Sequence, residues 1–184
     1  MRFLAILLLL AGAPAFAADV LPLTELAKPG RVLMLRHANA PGTGDPAHFR
    51  LDDCATQRNL DDAGRAQAQR LGERLRQAGI TQARVRSSQW CRCLETARLL
   101  GLGAPEPLPA LNSFYTRPGE REARLAALRA FLAGLSANGP PLVLVTHQMT
   151  ISEFTGAGVP SGGGSVFELN GSAAPRWLGN IAAD

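Results

Sequence analysis

A run of four apolar residues, 32–35, ends abruptly in Arg36 and His37 and constrains the fold of this chain more than any other stretch. Pro29-Gly30 bounds the run upstream, and its length and composition are typical of a short buried strand. Arginine and histidine are costly to bury without partners. In open α/β sheets, ligand sites form beyond the carboxyl ends of the strands. Arg36 and His37 are therefore candidate site residues, although a strand that simply emerges into solvent would look the same.

The same pattern recurs near the end of the chain. Pro141 precedes the apolar run 142–145, which ends in Thr146 and His147. Neighbouring parallel strands would bring His37 and His147 to one edge of a sheet. A single histidine is more often structural than catalytic, but two of the three histidines in the same topological position favour a functional site.

Helical patterns alternate with these strands. After Asp61 or Asp62, which we expect to cap the helix, apolar residues recur at intervals of three and four up to Gly79. Ser87 or Ser88 is predicted to cap a second helix over 89–100, with Arg92 in its first turn. Further helices are predicted after Pro118 and over 148–155, and a closing hairpin around 166–178. Alternating strands and helices predict a layered α/β fold in a single domain.

The first 18 residues have the composition of a signal peptide. Arg2 supplies a positive charge, residues 3–10 are apolar, and Ala15-Phe16-Ala17 matches a cleavage site. The apolar run is too short to span a bilayer. We therefore predict a signal peptide at 1–18 and a mature domain at 19–184 that is exported, periplasmic or secreted, without stable membrane insertion.

The charges do not favour a nucleic-acid-binding protein. The formal net charge is +4, and the basic residues are 18 arginines and the single Lys28. The arginines are dispersed along the predicted helices, and no basic block is interleaved with aromatic residues. Arginine is, however, the better bidentate ligand for phosphate and carboxylate.

Three cysteines remain in the predicted mature domain. Export into an oxidising compartment predicts one disulfide and one odd thiol. Cys91 and Cys93 point to different faces of a helix, so Cys54 paired with Cys91 or with Cys93 is expected. A zinc site built from the cysteines and His48 matches no familiar ligand spacing. We therefore predict no metal site.

Four short motifs, taken in order, resemble those of the histidine phosphatase superfamily, the phosphoglycerate-mutase-like group, in its branch 1. The motifs are Leu35-Arg36-His37-Ala38, Leu60-x3-Gly64-x2-Gln67-Ala68, Ser88-x3-Arg92-x3-Thr96-Ala97 and Val145-Thr146-His147. The resemblance runs from about residue 32 to residue 154. It implies a three-layer α/β/α sandwich with a mostly parallel central sheet.

The resemblance also implies roles for the site residues, and their chemistry is compatible with these roles. His37 would attack phosphorus as a neutral imidazole and carry a phosphohistidine. Arg36 and Arg92 would clamp the phosphoryl oxygens and lower the pKa of His37. His147 would be a further donor. We place two more residues, Asn39 and Gln148, in the predicted phosphate-binding set, and expect no metal and no cofactor.

The sequence departs from the family where a general acid is expected. Many members carry a glutamate in a Leu-x-Glu element, but the matching segment here is Leu111-Asn112-Ser113. The candidate acids elsewhere, which would otherwise be solvated loop carboxylates, are Asp45, Asp52, Asp53 and Glu153. The family's glycine after the nucleophile is also replaced, by Ala38.

These observations predict an exported, metal-independent phosphatase. Its substrate would be a small phosphate monoester, such as an envelope sugar phosphate, hydrolysed through a phosphohistidine. The alternative is a non-catalytic phosphate or glycan-phosphate binding module that has lost the general acid. A thiol redox function for Cys91 and Cys93 ranks last, because the Cys-x-x-Cys spacing is missing.

Overall fold

A six-stranded mixed sheet forms the centre of the protein in a computed structural model that describes residues 20–183. The predicted signal peptide lies outside the described residues. In spatial order the strands are β3-β2-β4-β1-β5-β6; the first four run parallel, and β5 and β6 are antiparallel to their neighbours. The strands are β1 (Arg31–Arg36), β2 (Arg84–Ser87), β3 (Glu106–Pro107), β4 (Leu142–Thr146), β5 (Gly164–Glu168) and β6 (Arg176–Ile181).

Helices cover both faces of this sheet. They are α1 (Asp62–Gln77), α2 (Cys91–Leu99), α3 (Arg121–Ala133) and α4 (Gln148–Thr155). Leu33 and Leu35 of β1 belong to the core that contains α1 and α2, whereas Val32 and Met34 belong to the core that contains α3 and α4. Because successive strand residues point to opposite faces, an uninterrupted apolar strand is buried on both sides. The predicted three-layer α/β/α sandwich is confirmed.

The pairing of β1 with β4 brings the two histidines together. The strands are parallel, with Arg36 opposite Thr146, so His37 and His147 follow at the same edge of the sheet. The backbone N–H of His37 donates to the carbonyl oxygen of Thr146 at 3.0 Å. The predicted convergence of the two strand ends is confirmed, as is the closing hairpin formed by β5 and β6.

Helix α1 begins as the sequence predicts and packs tightly against the first site segment. Asp61 is the cap, and its Oδ1 accepts from the backbone N–H of Gly64 at 2.7 Å. A Cβ atom at Gly64 would lie 2.0 Å from the carbonyl oxygen of Asn39, so only glycine allows this close approach.

The predicted cap of α2 is wrong. The helix begins at Cys91 with Trp90 in the cap position and without a side-chain cap, not after Ser87 or Ser88. Ser88 Oγ instead lies 2.9 Å from His147 Nε2. The hydroxyl that a local pattern assigns to the helix end therefore contacts a tertiary partner, in addition to accepting from the backbone N–H of Trp90 at 3.3 Å. Arg92 does lie in the first turn of α2, as predicted.

Residues 41–59 form the long loop expected from their turn-forming composition. Its regular structure is a short 3-10 helix, Cys54–Thr56. Cys54 is joined to Cys91 by a disulfide with a Cα–Cα distance of 5.7 Å, and Cys93 is a buried free thiol. This resolves the two pairings left open by the sequence. Within residues 20–183, no helix is both long and apolar enough to cross a bilayer.

Candidate active site

A cavity of about 360 Å³ opens where β1 and β4 end. Arg36, His37, Arg92 and His147, the four residues that the motifs single out as catalytic, all line it. The wall also includes residues of the 41–59 loop and of the segments that follow β2, β3 and β4, namely Gly42, Thr43, Gly44, Asp45, Arg58, Trp90, Ser113, Tyr115, Thr116, Gln148 and Met149.

His37 is held as a neutral imidazole with a defined tautomer. Its Nδ1 lies 2.8 Å from the carbonyl oxygen of Ala38. A carbonyl oxygen only accepts, so Nδ1 carries the proton and Nε2 keeps its lone pair. Burial lowers the pKa of His37 to about 3, opposed by the Ala38 hydrogen bond and assisted by Arg92 and Arg58. The predicted direction is therefore correct, but burial is a larger cause than the arginines.

His147 lies beside His37 in the same buried environment. The two ring centroids are 5.6 Å apart, in an edge-to-face arrangement. Burial, followed by the charge of Arg92, places the pKa of His147 well below its usual value. Ser88 Oγ, 2.9 Å from His147 Nε2, also lies 3.2 Å from Asn112 Oδ1. The buried polar side chains of Ser88 and Asn112 thus orient the imidazole of His147.

Arg36 is anchored through one end of its guanidinium group. Its Nη1 donates to Gln148 Oε1 at 2.6 Å and to the carbonyl oxygen of Val159 at 2.9 Å. Its Nε is buried and has no hydrogen-bond partner among the described residues. Desolvation lowers the pKa of Arg36. A buried donor without a partner is costly, which favours a site meant to receive an acceptor.

Arg92 shows the same arrangement with a charged anchor. Its Nη1 donates to Asp45 Oδ1 at 2.7 Å and to the carbonyl oxygen of Arg58 at 3.2 Å, while Nη2 donates to Asp45 Oδ2 at 3.2 Å. The side chain of Arg92 is 4% exposed. Its Nε is again buried without a partner within residues 20–183. Both arginines of the site thus keep one unpaired buried N–H.

Arg58 is a wall residue that the sequence analysis missed. It lies in the loop, and its Nε donates to the carbonyl oxygen of Gly44 at 2.8 Å while its Nη1 contacts the carbonyl oxygen of Ala40. With Arg36 and Arg92 it gives the cavity three guanidinium groups against the single carboxylate of Asp45. An arginine in an irregular loop has no periodicity to mark it, and only its position just before the Leu60 motif could have drawn attention to it.

Of the four candidate general acids, the structure brings only Asp45 to the cavity wall. Asp53 accepts from the backbone N–H of Ala55 and is ion-paired to Arg50, so it caps a turn. Glu153 is ion-paired to Arg121 on the neighbouring helix. These local partners explain why neither faces the cavity.

Neither Asp52 nor the segment that matches the family's acid brings a carboxyl group to the cavity. Asp52 borders a separate surface depression with Leu51 and Gln89. In the segment that matches the family's Leu-x-Glu element, Ser113 lines the cavity, and Asn112 is buried and accepts from the backbone N–H of Gln89 at 2.8 Å. The missing glutamate is therefore not replaced by a nearby carboxylate from this segment.

The two additional predicted phosphate ligands differ in their placement. Gln148 lines the cavity and supports Arg36. Asn39 is not part of the wall, because its side-chain amide donates to Asp61 at 2.9 Å at the start of α1. Within residues 20–183, no group of three or more His, Cys, Asp or Glu side chains is arranged to hold a metal ion.

Residues 32–115 match the family model of the histidine phosphatase superfamily (branch 1). This match and the shared fold confirm the resemblance to that superfamily that the motifs predict. Comparison with curated protein sequences gives no match.

Solved structures of low sequence identity share the fold. The protein histidine phosphatase SixA, solved with tungstate, has a TM-score of 0.58 and 20% identity, covering 83% of this chain and 96% of its own. A phosphoglycerate mutase from Thermus thermophilus has a TM-score of 0.58 and 21% identity, with coverages of 84% and 99%. A mycobacterial glucosyl-3-phosphoglycerate phosphatase, solved with inorganic phosphate, has a TM-score of 0.57 and 18% identity, with coverages of 84% and 97%.

Proposed function

We propose that this protein is a phosphatase that hydrolyses a phosphate monoester through a phosphohistidine at His37. The observation that carries the proposal is the convergence of Arg36, Arg58 and Arg92 on His37 in one cavity wall. His37 Nε2 keeps its lone pair, and the buried Nε–H groups of Arg36 and Arg92 have no partner among the described residues. A phosphoryl group would accept both donors while its phosphorus meets the nucleophile.

The chemistry follows in two displacements. The lone pair of His37 Nε2 attacks phosphorus, and the bond from phosphorus to the ester oxygen breaks, so the alcohol leaves with its electron pair. Water then attacks the phosphohistidine, the P–N bond breaks, and inorganic phosphate leaves a neutral His37. Arg36, Arg58 and Arg92 offset the negative charge of the phosphoryl oxygens in both transition states.

His147 acts as a further donor to the transferred group. Ser88 Oγ donates to Asn112 Oδ1 at 3.2 Å and lies 2.9 Å from His147 Nε2, so this contact orients the His147 ring at the cavity wall. The positive charge of the site comes from arginine side chains, so the proposal includes neither metal nor cofactor. A chelator should leave the rate unchanged.

The natural substrate we propose is a phosphorylated sugar of the cell envelope. The predicted signal peptide would deliver the protein to that compartment, and the neutral hydroxyl groups of Thr43, Ser113 and Thr116 line the cavity beside the arginines. Because the wall lacks an un-ionised carboxyl group, the leaving oxygen takes its proton from water. Esters with acidic leaving groups should therefore react fastest.

The test is a trapping experiment on the mature protein. It is mixed with 4-nitrophenyl phosphate in the presence of a chelator and quenched, and the peptide carrying His37 is examined for an alkali-stable, acid-labile phosphate. Label together with continuing release of phosphate is expected. The variant His37→Asn should show neither, with a loss of turnover of roughly 10³-fold or more. Turnover near wild type in this variant would overturn the assignment.

The second candidate is a binding module, favoured by Ser113 in the place of the family's acid. It predicts that inorganic phosphate binds but that 4-nitrophenyl phosphate neither labels His37 nor releases phosphate. Label without release would indicate that the protein completes the first displacement but not the second.

A further inference from the structure

We propose that Asp45 is the positioning residue of the phosphate site, a role that rests on the function proposed above. Its carboxylate binds Nη1 and Nη2 at the end of the Arg92 side chain, so that the edge formed by Nε and Nη2 is presented to a phosphoryl group. Asp45 thereby acts through Arg92, without transferring a proton and without touching the substrate.

The hydrogen bonds of Arg92 define which edge remains for a ligand. Both N–H groups of Nη1 are used, one by Asp45 and one by the carbonyl oxygen of Arg58, and one N–H of Nη2 is used by Asp45. The second N–H of Nη2 lies in the guanidinium plane along the same edge as Nε–H, and Nε is buried without a partner within residues 20–183. These two parallel N–H groups form a fork that matches two oxygens of a phosphate.

Asp45 is itself held from several directions. Its Oδ1 also accepts from the backbone N–H of Arg58 at 3.0 Å, and its Oδ2 accepts from Trp90 Nε1 at 3.0 Å. The Trp90 ring is stacked on Phe49 with a centroid distance of 5.2 Å. The carboxylate is therefore a fixed anchor that connects the loop, the start of α2 and the arginine.

The ionisation of Asp45 agrees with anchoring rather than acid catalysis. Partial burial, the largest single influence, raises the pKa of Asp45, but the hydrogen bonds and charge of Arg92, with further bonds from Arg58 and Trp90, together hold this pKa below its usual range. A general acid needs a proton near neutral pH, which this carboxyl group lacks. Arg36 is anchored through the neutral oxygens of Gln148 and Val159, so Arg92 is the arginine whose orientation depends on a charged partner.

The test is a double-mutant cycle between Asp45 and Arg92. Wild type, Asp45→Asn, Arg92→Lys and the double variant are assayed with 4-nitrophenyl phosphate and with phenyl phosphate, whose leaving group is more basic. Asp45→Asn should lower kcat/KM by roughly 10- to 100-fold, and by the same factor with both substrates. In the Arg92→Lys background, the same change should cost less than about threefold, because lysine has no fork to orient.

Asp62→Asn is the matched control. It removes one carboxylate from a surface side chain that is 99% exposed and outside the cavity, so it should leave kcat/KM unchanged. Equal, multiplicative losses for Asp45→Asn in both backgrounds would overturn the proposal. A much larger loss with phenyl phosphate would do so as well, because that dependence on the leaving group is expected of a general acid.

Binding of inorganic phosphate separates this proposal from the proposed function. The same four proteins and the Asp62→Asn control are titrated with phosphate by calorimetry, after thermal melting has shown that each is folded. If wild type binds phosphate but does not turn over, the phosphatase proposal fails, while a non-additive effect of the two substitutions on Kd still supports Asp45 as the anchor of Arg92. Additive effects on Kd would contradict that role whether or not the protein is an enzyme.

Discussion

At the scale of single residues, the site is defined by two neutral imidazoles buried among guanidinium groups. His37 is 3% exposed and His147 is 6% exposed. Water cannot stabilise a positive charge on these buried rings, so both imidazoles remain neutral and one of them can act as a nucleophile. The same burial affects stability, because the imidazoles are exposed to water in the unfolded chain and can be protonated there.

Acidification should therefore destabilise the protein in part through His37. Its pKa is about 3 in the folded protein and near 6.5 when unperturbed. Between these values the unfolded chain binds a proton that the folded protein does not, so the free energy of unfolding falls as the pH is lowered through this window. The variant His37→Asn cannot titrate at this position. It should lose less of its unfolding free energy than wild type between about pH 7 and pH 4.5.

Urea denaturation of both proteins at the two pH values measures this difference. His147 remains in both proteins, and burial and the charge of Arg92, the two largest causes of its lowered pKa, act on it in both. Identical losses in wild type and His37→Asn would contradict a lowered pKa for His37.

At the scale of elements, the 41–59 loop is fixed to α2 by a covalent bond and by a hydrogen bond. The disulfide between Cys54 and Cys91 joins residues 37 apart in sequence, and Gln57 Oε1 accepts from the backbone N–H of Cys91 at 3.0 Å. The next residue along α2 is Arg92. The bond that closes the loop therefore also fixes the start of the helix that carries the arginine.

Removing this disulfide should affect both stability and ligand binding. The double variant Cys54→Ser/Cys91→Ser should lose ~2–4 kcal/mol of unfolding free energy, a typical range for such links. It should also bind inorganic phosphate more weakly, because Asp45 and Arg58 lie in the released loop. Urea denaturation and calorimetry measure these effects. Added reductant should reproduce the loss in wild type and have no effect on the double variant, whereas a reductant effect in both would exclude the disulfide as its cause.

The elements also show which parts of the site a sequence can predict. The ends of β1 and β4 were predictable, because apolar runs followed by histidine define both the strand and its exit. The pairing of Asp45 with Arg92 was not, because it depends on how an irregular loop folds back over a helix. The cap of α2 was predicted wrongly for a related reason, since the pattern of Ser88 is local and its partner His147 is distant in sequence.

At the scale of the whole molecule, the cavity is assembled from distant parts of the chain. The central sheet supplies His37 and His147, helix α2 supplies Arg92, and the disulfide-bonded loop supplies Asp45 and Arg58. The order of motifs along the chain was sufficient to predict the sheet and the first three of these side chains. The Cys54–Cys91 disulfide closes the loop that supplies Asp45 and Arg58, and formation of a disulfide depends on an oxidising compartment.

Export and oxidation should therefore occur together. Expressed as the full chain, the protein should be recovered from the exported fraction with Ala18 or Asp19 at its N-terminus. Its intact mass should show one disulfide and one free thiol, Cys93, which is buried. A version without residues 1–18 should stay in the reducing cytoplasm with three free thiols and a lower melting temperature. Recovery of the full chain uncleaved, or of exported protein with three free thiols, would contradict the link between export and the closed loop.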